Sequence, residues 1–253
     1  MTLAAWLPAV ERIAREAGAL ILQVYATDFA VMGKADASPV TEADQRAEAH
    51  ITPALQALAP AVPVVAEEAV SRGEVPALAR RFWLVDPLDG TREFVSRNGE
   101  FTVNIALVDD GLPVLGVVFV PAQDLLYAGL VGQGAWVEQA GRREAIACAA
   151  ASPRGWRLAS SRSHGDEPAL QAWLAGRPVV SRLAAGSSLK FGLVARGAAD
   201  VYPRLGRTME WDTAAGHAVL RAAGGEVRDL QGGVLRYGKP GFENPHFVAW
   251  GHA

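Results

Sequence analysis

The run Phe82-Trp83-Leu84-Val85, followed by Asp86-Pro87-Leu88-Asp89-Gly90-Thr91, constrains this chain more than any other segment. A short apolar run of this kind reads as a buried strand. It ends in two carboxylates three positions apart, with Pro and Gly between and after them, which marks a tight loop. Loops at the carboxyl ends of strands are where α/β sheets bind ligands. Two close carboxylates repel and raise each other's pKa unless a cation stands between them. A hard cation such as Mg²⁺ takes oxygen ligands, and the Leu88 carbonyl offers a third one.

The chain around this loop has 253 residues, half of them hydrophobic, enough for one large domain or two small ones with a shared interface. Apolar residues at Val10, Ile13, Ala14, Ala17, Ile21 and Val24 follow helical spacing, with Pro8 suited to the first turn. Gly33 to Pro39 reads as a loop, and a second helix runs from about Thr41 to Leu58 with a kink at Pro53. Val62 to Ala66 is a short strand entering Glu67-Glu68. Phe101–Val108, Val114–Val120, Leu125–Leu130 and Ala135–Val137 are β-rich, and Asp109-Asp110-Gly111 marks a hairpin. After Ala150 strands alternate with helices: Trp156–Ala159, Pro168–Leu174, Val179-Val180, Ser188–Ala195, Asp200–Tyr202, Thr213–Ala223 and Glu226–Arg228. The reading is an α+β half over 1–150, with most of the acids, and an α/β half over 151–253.

Exclusions come from charge and composition. The net charge of −3 has no basic patch behind it, so a nucleic-acid polymer is not the expected partner. The single Cys148 allows no intramolecular disulfide and fits a reducing cytoplasm; it reads as a small buried hydrophobe. The N-terminus lacks the basic-then-apolar order of a signal peptide, and no apolar run is long enough to span a membrane.

Four acidic features stand out, each with a bland explanation. Asp44 completes a capping box with Thr41. Glu67-Glu68 reads as a solvated strand end. Asp86 and Asp89 suit an ordinary Asp-rich turn. Asp212 in Glu210-Trp211-Asp212-Thr213-Ala214-Ala215-Gly216 suits a helix N-cap, with small residues behind it for close helix packing. Taken together they are less easily dismissed. The order Asp44, Glu67, Asp86-Pro87-Leu88-Asp89-Gly90-Thr91, then Trp211-Asp212-Thr213-Ala214-Ala215-Gly216 resembles the lithium-sensitive, magnesium-dependent phosphatase superfamily of inositol monophosphatase and fructose bisphosphatase. Four further segments look like the bacterial 3'(2'),5'-bisphosphate nucleotidase branch. They are Trp83 to Thr91, Asn98 to Leu107, Ser161-Arg162-Ser163-His164 and Gly186-Ser187-Ser188-Leu189-Lys190-Phe191.

The resemblance implies a layered αβαβα sandwich. It implies one Mg²⁺ held by Glu67, Asp86 and the Leu88 carbonyl, and a second held by Asp86, Asp89 and Asp212. A third, weaker ion would lie near Glu67 and Glu68, and Li⁺ would inhibit. Thr91, hydrogen-bonded to Asp44, would orient the attacking water and relay its proton, with Glu67 in the same catalytic set. Gly90 and Thr91 amides suit a phosphate. Ser161 and His164 would meet the ribose or second phosphate. Gly186, Ser187 and Lys190, at a helix start, suit an anion away from the metals. Arg92 and Asp212 complete the substrate contacts. The implied reaction removes the 3'-phosphate of adenosine 3',5'-bisphosphate, a by-product of sulfur assimilation, giving AMP and phosphate. Two alternatives stay open: an inositol-1-phosphatase or sugar bisphosphatase, and an inactive metal- or anion-binding regulatory module. A homodimer also stays open. Peripheral attachment to the inner membrane is known among such relatives, but no basic amphipathic helix here supports it.

Overall fold

The computed structural model describes residues 2–33, 39–150, 154–163 and 166–251. α1 (Leu3–Tyr25) buries Leu7, Val10, Ile13, Ala14, Ala17, Ile21 and Val24 along one stripe, the spacing read from the sequence. Pro8 lies inside this helix and not in its first turn. Leu3, Ala4 and Trp6 pack on the core ahead of it, and that packing carries the helix past the proline's missing donor. β1 (Val31–Gly33) and β2 (Pro39–Thr41) form a small antiparallel pair flanking the segment that reads as a loop. α2 (Glu42–Leu58) starts on Thr41 and contains Pro53. β3 (Val64–Ala66) passes directly into α3 (Glu67–Ser71), so Glu67 and Glu68 open a helix and are not a solvated strand end.

β4 (Arg81–Asp89), α4 (Thr91–Val95), β5 (Thr102–Asp109), β6 (Leu112–Val120), β7 (Leu125–Leu130), β8 (Gly134–Gln139) and β9 (Arg142–Ile146) follow. The β5–β6 hairpin turns on Asp110 and Gly111, whose φ values of 55° and 73° match the primed turn that an Asp-Gly pair favours. β9 is an exposed edge strand, rich in charge, so no apolar alternation announces it. These strands make a seven-stranded sheet in the order β3-β4-β5-β6-β7-β8-β9, antiparallel except for β3 beside β4.

The rest of the chain supplies β10 (Trp156–Ser161), α5 (Glu167–Leu174), β11 (Val179–Ala185), α6 (Leu189–Ala195), β12 (Val201–Arg204), α7 (Glu210–Ala222), β13 (Glu226–Asp229) and β14 (Phe247–Trp250). They form a mixed five-stranded sheet in the order β11-β10-β12-β14-β13. β14, which no sequence pattern marked, is the strand that joins β12 to β13.

The layers follow from which face each apolar residue takes. Trp83, Val85, Val103, Ile105, Val117 and Leu126 meet α1 and α2 on one face of the large sheet. Leu84, Ala106, Val118 and Tyr127 on its other face meet Phe191, Ala215 and Val219 of α6 and α7, then Tyr202 and Phe247 of the small sheet. Leu158, Val201 and Val248 on the far side of that sheet cover Leu170 and Leu174 of α5. The result is an αβαβα sandwich. Position 150 falls between the two sheets, while one hydrophobic cluster crosses from one half to the other.

Small residues let α7 enter the middle layer. A Cβ on Gly116 of β6 would stand 2.3 Å from the Ala215 carbonyl oxygen. One on Gly216 would stand 2.5 Å from the Phe191 ring of α6. Those contacts set how deeply α7, with Asp212 in its first turn, sits over β4.

Candidate active site

β4 does not stop before the acids; it runs through Pro87 and Leu88 to Asp89. Asp86 pairs with Asn104 and Asp89 with Thr102, so three steps on β4 face two on β5. That is a bulge, which accommodates Pro87 and re-aims the side chains. Without it Asp86 and Asp89, an odd number of residues apart, would face opposite ways. With it both share the face of Asn104 and Thr102, toward α7. The Asp86 carboxylate also takes the Leu88 amide at 3.0 Å, which tightens the bend. Gly90 then adopts φ 88°, a left-handed conformation that glycine takes without strain, and Thr91 opens α4.

Two more acids reach this point. β3 lies parallel to β4 with Ala66 beside Val85, so Glu67, the next residue, emerges beside Asp86. Asp212 is the third residue of α7 and not its N-cap; its Oδ2 accepts the Met209 amide at 2.8 Å. Burial pushes the carboxyl groups of Asp86, Asp89 and Asp212 upward. The negative charges of Glu67, Asp89 and Asp212 add to the rise at Asp86, and those of Asp89 and Glu67 to the rise at Asp212. At Asp89 the Lys190 ammonium opposes the rise.

Fixed side chains hold Asp89. Ser188 Oγ lies 3.1 Å from its Oδ2 and 2.6 Å from the Asp212 carbonyl, Asn104 Nδ2 donates to Ser188 Oγ at 2.9 Å, and Ser187 Oγ donates to the Asp89 carbonyl at 2.8 Å. Asn104 and Ser188 lie in segments that carry the resemblance, but their place at Asp89 is set by sheet register and by α6.

Four acids on one side, all oxygen donors, suit hard divalent cations, since charge of this density is costly without a counter-ion. Among the described residues no three acidic, histidine or cysteine side chains surround a common point as a ready-made cage. The fit rests on the shared charge and the oxygen chemistry. Glu68 is buried, and its amide donates to Glu48 Oε2 at 2.8 Å; it does not line the cavity beside Glu67.

Asp44 serves two purposes. Its Oδ2 accepts both the amide and the hydroxyl of Thr41 at 2.7 Å, forming the expected capping box. Its Oδ1 lies 3.4 Å from Thr91 Oγ1, which stands equally far from the Leu88 carbonyl. Among the described residues these two oxygens are the acceptors within reach of the Thr91 hydroxyl, which also lines the cavity. Burial raises the Asp44 carboxyl to about 7, against the lowering effect of the Thr41 bonds.

The cavity has a volume of about 350 Å³ and joins both halves of the chain. Glu67, Asp89, Gly90, Thr91 and Asp212 line it, as do Arg92, Ser161, Ser187 and Lys190. Lys190 is not remote from the acids. It is buried, its Nζ donates to the carbonyls of Ala185 (3.1 Å) and Ser187 (2.5 Å), and burial lowers it to about 8 against the pull of Asp89. The Gly186 amide is already engaged by Glu100 Oε2 at 2.7 Å, so it is not turned to an anion. Helix α6 begins at Leu189, after both glycine and serines. His164 lies outside the described residues. Glu93, Arg204, Arg207 and Trp211 also line the cavity, and no sequence motif gives the first three a role. Arg204 ends β12 and Arg207 follows on the connection to α7, and neither sits in a local motif.

The profile of the inositol monophosphatase family matches residues 3–250. An Escherichia coli K12 protein named 3'(2'),5'-bisphosphate nucleotidase CysQ is 48% identical over 239 residues, 93% of this chain and 96% of that protein. The Aggregatibacter actinomycetemcomitans protein of the same name is 36% identical over 94% of this chain and 90% of its own. Among solved structures, CysQ from Bacteroides thetaiotaomicron superposes with a TM-score of 0.82 at 38% identity, covering 98% of each chain. An inositol monophosphatase from Anabaena superposes with a TM-score of 0.77 at 25% identity over 100% of this chain and 92% of that one. A site built on a bulged strand end, read together with these matches, assigns the chain to the inositol monophosphatase family.

Proposed function

We propose that this chain is a Mg²⁺-dependent phosphatase that converts adenosine 3',5'-bisphosphate to AMP and phosphate, recycling a by-product of sulfur assimilation. The observation that carries the reading is 48% identity, over nearly the full length of both chains, to a protein named 3'(2'),5'-bisphosphate nucleotidase. The acid-lined cavity supports the chemistry. Mg²⁺ ions, two with a weaker third, would neutralise phosphoryl oxygens and lower the pKa of water. Glu67, Asp86 and the Leu88 carbonyl would hold one of them, and Asp86, Asp89 and Asp212 another.

Thr91 and Asp44 handle the nucleophile. Thr91 points its proton at Asp44 Oδ1 or the Leu88 carbonyl and offers a lone pair to a water proton. Asp44 is poised to accept that proton by relay, since burial places it near neutrality. Gly90 and Thr91 amides face the phosphate, which the bulge brings beside the acids. Lys190, Arg92, Arg204 and Arg207 supply positive charge around the same cavity, which suits a second phosphate. Ser161, which lines the cavity, and His164 would meet the ribose or the second phosphate, and a reducing cytoplasm suits the buried free thiol of Cys148. Among the described residues no helix is long and apolar enough to cross a membrane. Inhibition by Li⁺ competing with Mg²⁺ is expected.

The test is phosphate release from adenosine 3',5'-bisphosphate and from inositol 1-phosphate, in Mg²⁺ and in EDTA. Higher kcat/KM on the nucleotide, lost in EDTA, supports the reading; preference for the inositol ester overturns it.

A further inference from the structure

Glu93 sits in the wall of the cavity, 2% exposed, on α4 one turn beyond Gly90. Among the described residues no hydrogen-bond donor meets its carboxylate. Lys190 and Arg162 attract it and Asp89 repels it, all through space. A buried carboxylate without a hydrogen bond is costly, and native interiors rarely leave one. Asp44, Asp86, Asp89 and Glu100 nearby all accept bonds from the protein. Glu93 is the acid of this wall whose acceptor capacity is left for a visitor.

The neighbours limit what that visitor is. The Lys190 ammonium and the Arg162 guanidinium already supply positive charge here, so a further cation gains little. A neutral hydroxyl group donates without adding charge, and a hydrogen bond to a charged acceptor is among the stronger ones. Position narrows it further. A Cβ on Gly90 would stand 3.2 Å from Glu93 Oε2, so the carboxylate lies beside the strip that the proposed function assigns to the phosphate. The substrate group within its reach is attached close to the ester oxygen.

We propose that Glu93 is a specificity-determining residue that accepts a hydrogen bond from the hydroxyl on the carbon next to the phosphate ester, the ribose 2'-hydroxyl of a nucleoside 3'-phosphate. This rests on the nucleotidase reading above. It predicts that the enzyme rejects substrates lacking that hydroxyl, because a site built for a hydroxyl leaves a buried carboxylate unpaired without it.

The experiment measures kcat/KM for adenosine 3',5'-bisphosphate and its 2'-deoxy analogue, in wild type, Glu93→Gln and Glu93→Ala. Wild type should prefer the ribose substrate by about ten- to a hundredfold, the range expected for one hydrogen bond to a charged group. Glu93→Ala should bring that ratio close to one. Glu93→Gln, which keeps a carbonyl acceptor, should fall between. The wild-type ratio needs no variant, so a misfolded Glu93→Ala leaves the inference open to refutation. A wild-type ratio near one overturns it, as does a ratio unchanged in either active variant. A shift in half-saturating Mg²⁺ with an unchanged ratio overturns it too, and gives Glu93 to a cation. If wild type hydrolyses neither nucleotide but does hydrolyse inositol 1-phosphate, the nucleotidase reading fails instead.

Discussion

Asp44→Asn separates the cost of the site from its use. The buried Asp44 carboxyl is raised from 3.8 to about 7, with burial as the main cause. A carboxyl raised by folding binds more protons in the folded state than in the unfolded one between those two values. Stability is therefore lost as pH rises from about 4 to about 7 and stays low above that. A shift of roughly 3 units at 1.36 kcal/mol each makes the ionised group cost about 4 kcal/mol above neutral pH. Asparagine is uncharged and nearly the same shape. Its carbonyl oxygen can take the Thr41 amide and hydroxyl that Asp44 Oδ2 now holds at 2.7 Å, so the cap survives. In EDTA at pH 8 the variant should be more stable than wild type by up to about 4 kcal/mol, which is roughly 8–16 °C in thermal midpoint for a chain of this size. At pH 4 the two should nearly coincide. Turnover should meanwhile fall about 10²- to 10⁴-fold, the usual worth of a positioned general base. Thermal melts from pH 4 to 8 in EDTA, with phosphate release alongside in Mg²⁺, read both. A variant no more stable than wild type at pH 8, or one that keeps its activity, would refute the reasoning.

Three other perturbations reach different parts of the molecule. Thr91→Ala removes the hydroxyl between Asp44 and the cavity; kcat should drop by about 10² or more while half-saturating Mg²⁺ stays within a few-fold, and an unchanged kcat removes Thr91 from water orientation. Lys190 is lowered to about 8, so kcat/KM should decline above about pH 8 as its ammonium is lost, and Lys190→Met should lack that decline; a profile identical in both proteins assigns the limb elsewhere. Gly116→Ala drives a methyl toward the Ala215 carbonyl; a loss of roughly 1–3 kcal/mol in urea unfolding, with weakened Mg²⁺ affinity as α7 is displaced, is expected, and an unaltered Mg²⁺ affinity would uncouple α7 depth from the site.

Much of the site was legible because its chemistry is local. Asp86-Pro87-Leu88-Asp89-Gly90-Thr91 packs a bulge, two acids and a left-handed glycine into six consecutive residues, and each type is there for a reason that a sequence displays. Asp44 was legible in both its readings, since one oxygen caps a helix while the other meets Thr91. The core strands announced themselves through apolar runs, as strands covered on both faces must. What stayed hidden depends on the assembled fold. β9 is exposed and charged, β14 pairs with strands far away in the chain, and Pro8 is overruled by packing at Leu3 and Trp6. The Gly186 amide looked free at a helix start, yet Glu100 crosses from the other half to take it. Glu93 was overlooked between Arg92 and Phe94 because one acid on a short helix says nothing until the cavity beside it is seen.

The proposed chemistry depends on Glu67, Asp86, Asp89 and Asp212 holding divalent cations together. Anomalous diffraction from crystals soaked in Mn²⁺, with wild type and Asp89→Asn compared, tests it most directly. One peak is expected among Glu67, Asp86 and the Leu88 carbonyl and another among Asp86, Asp89 and Asp212, the second lost in Asp89→Asn together with turnover. Peaks absent from this cluster in protein that remains active with Mn²⁺ would contradict it.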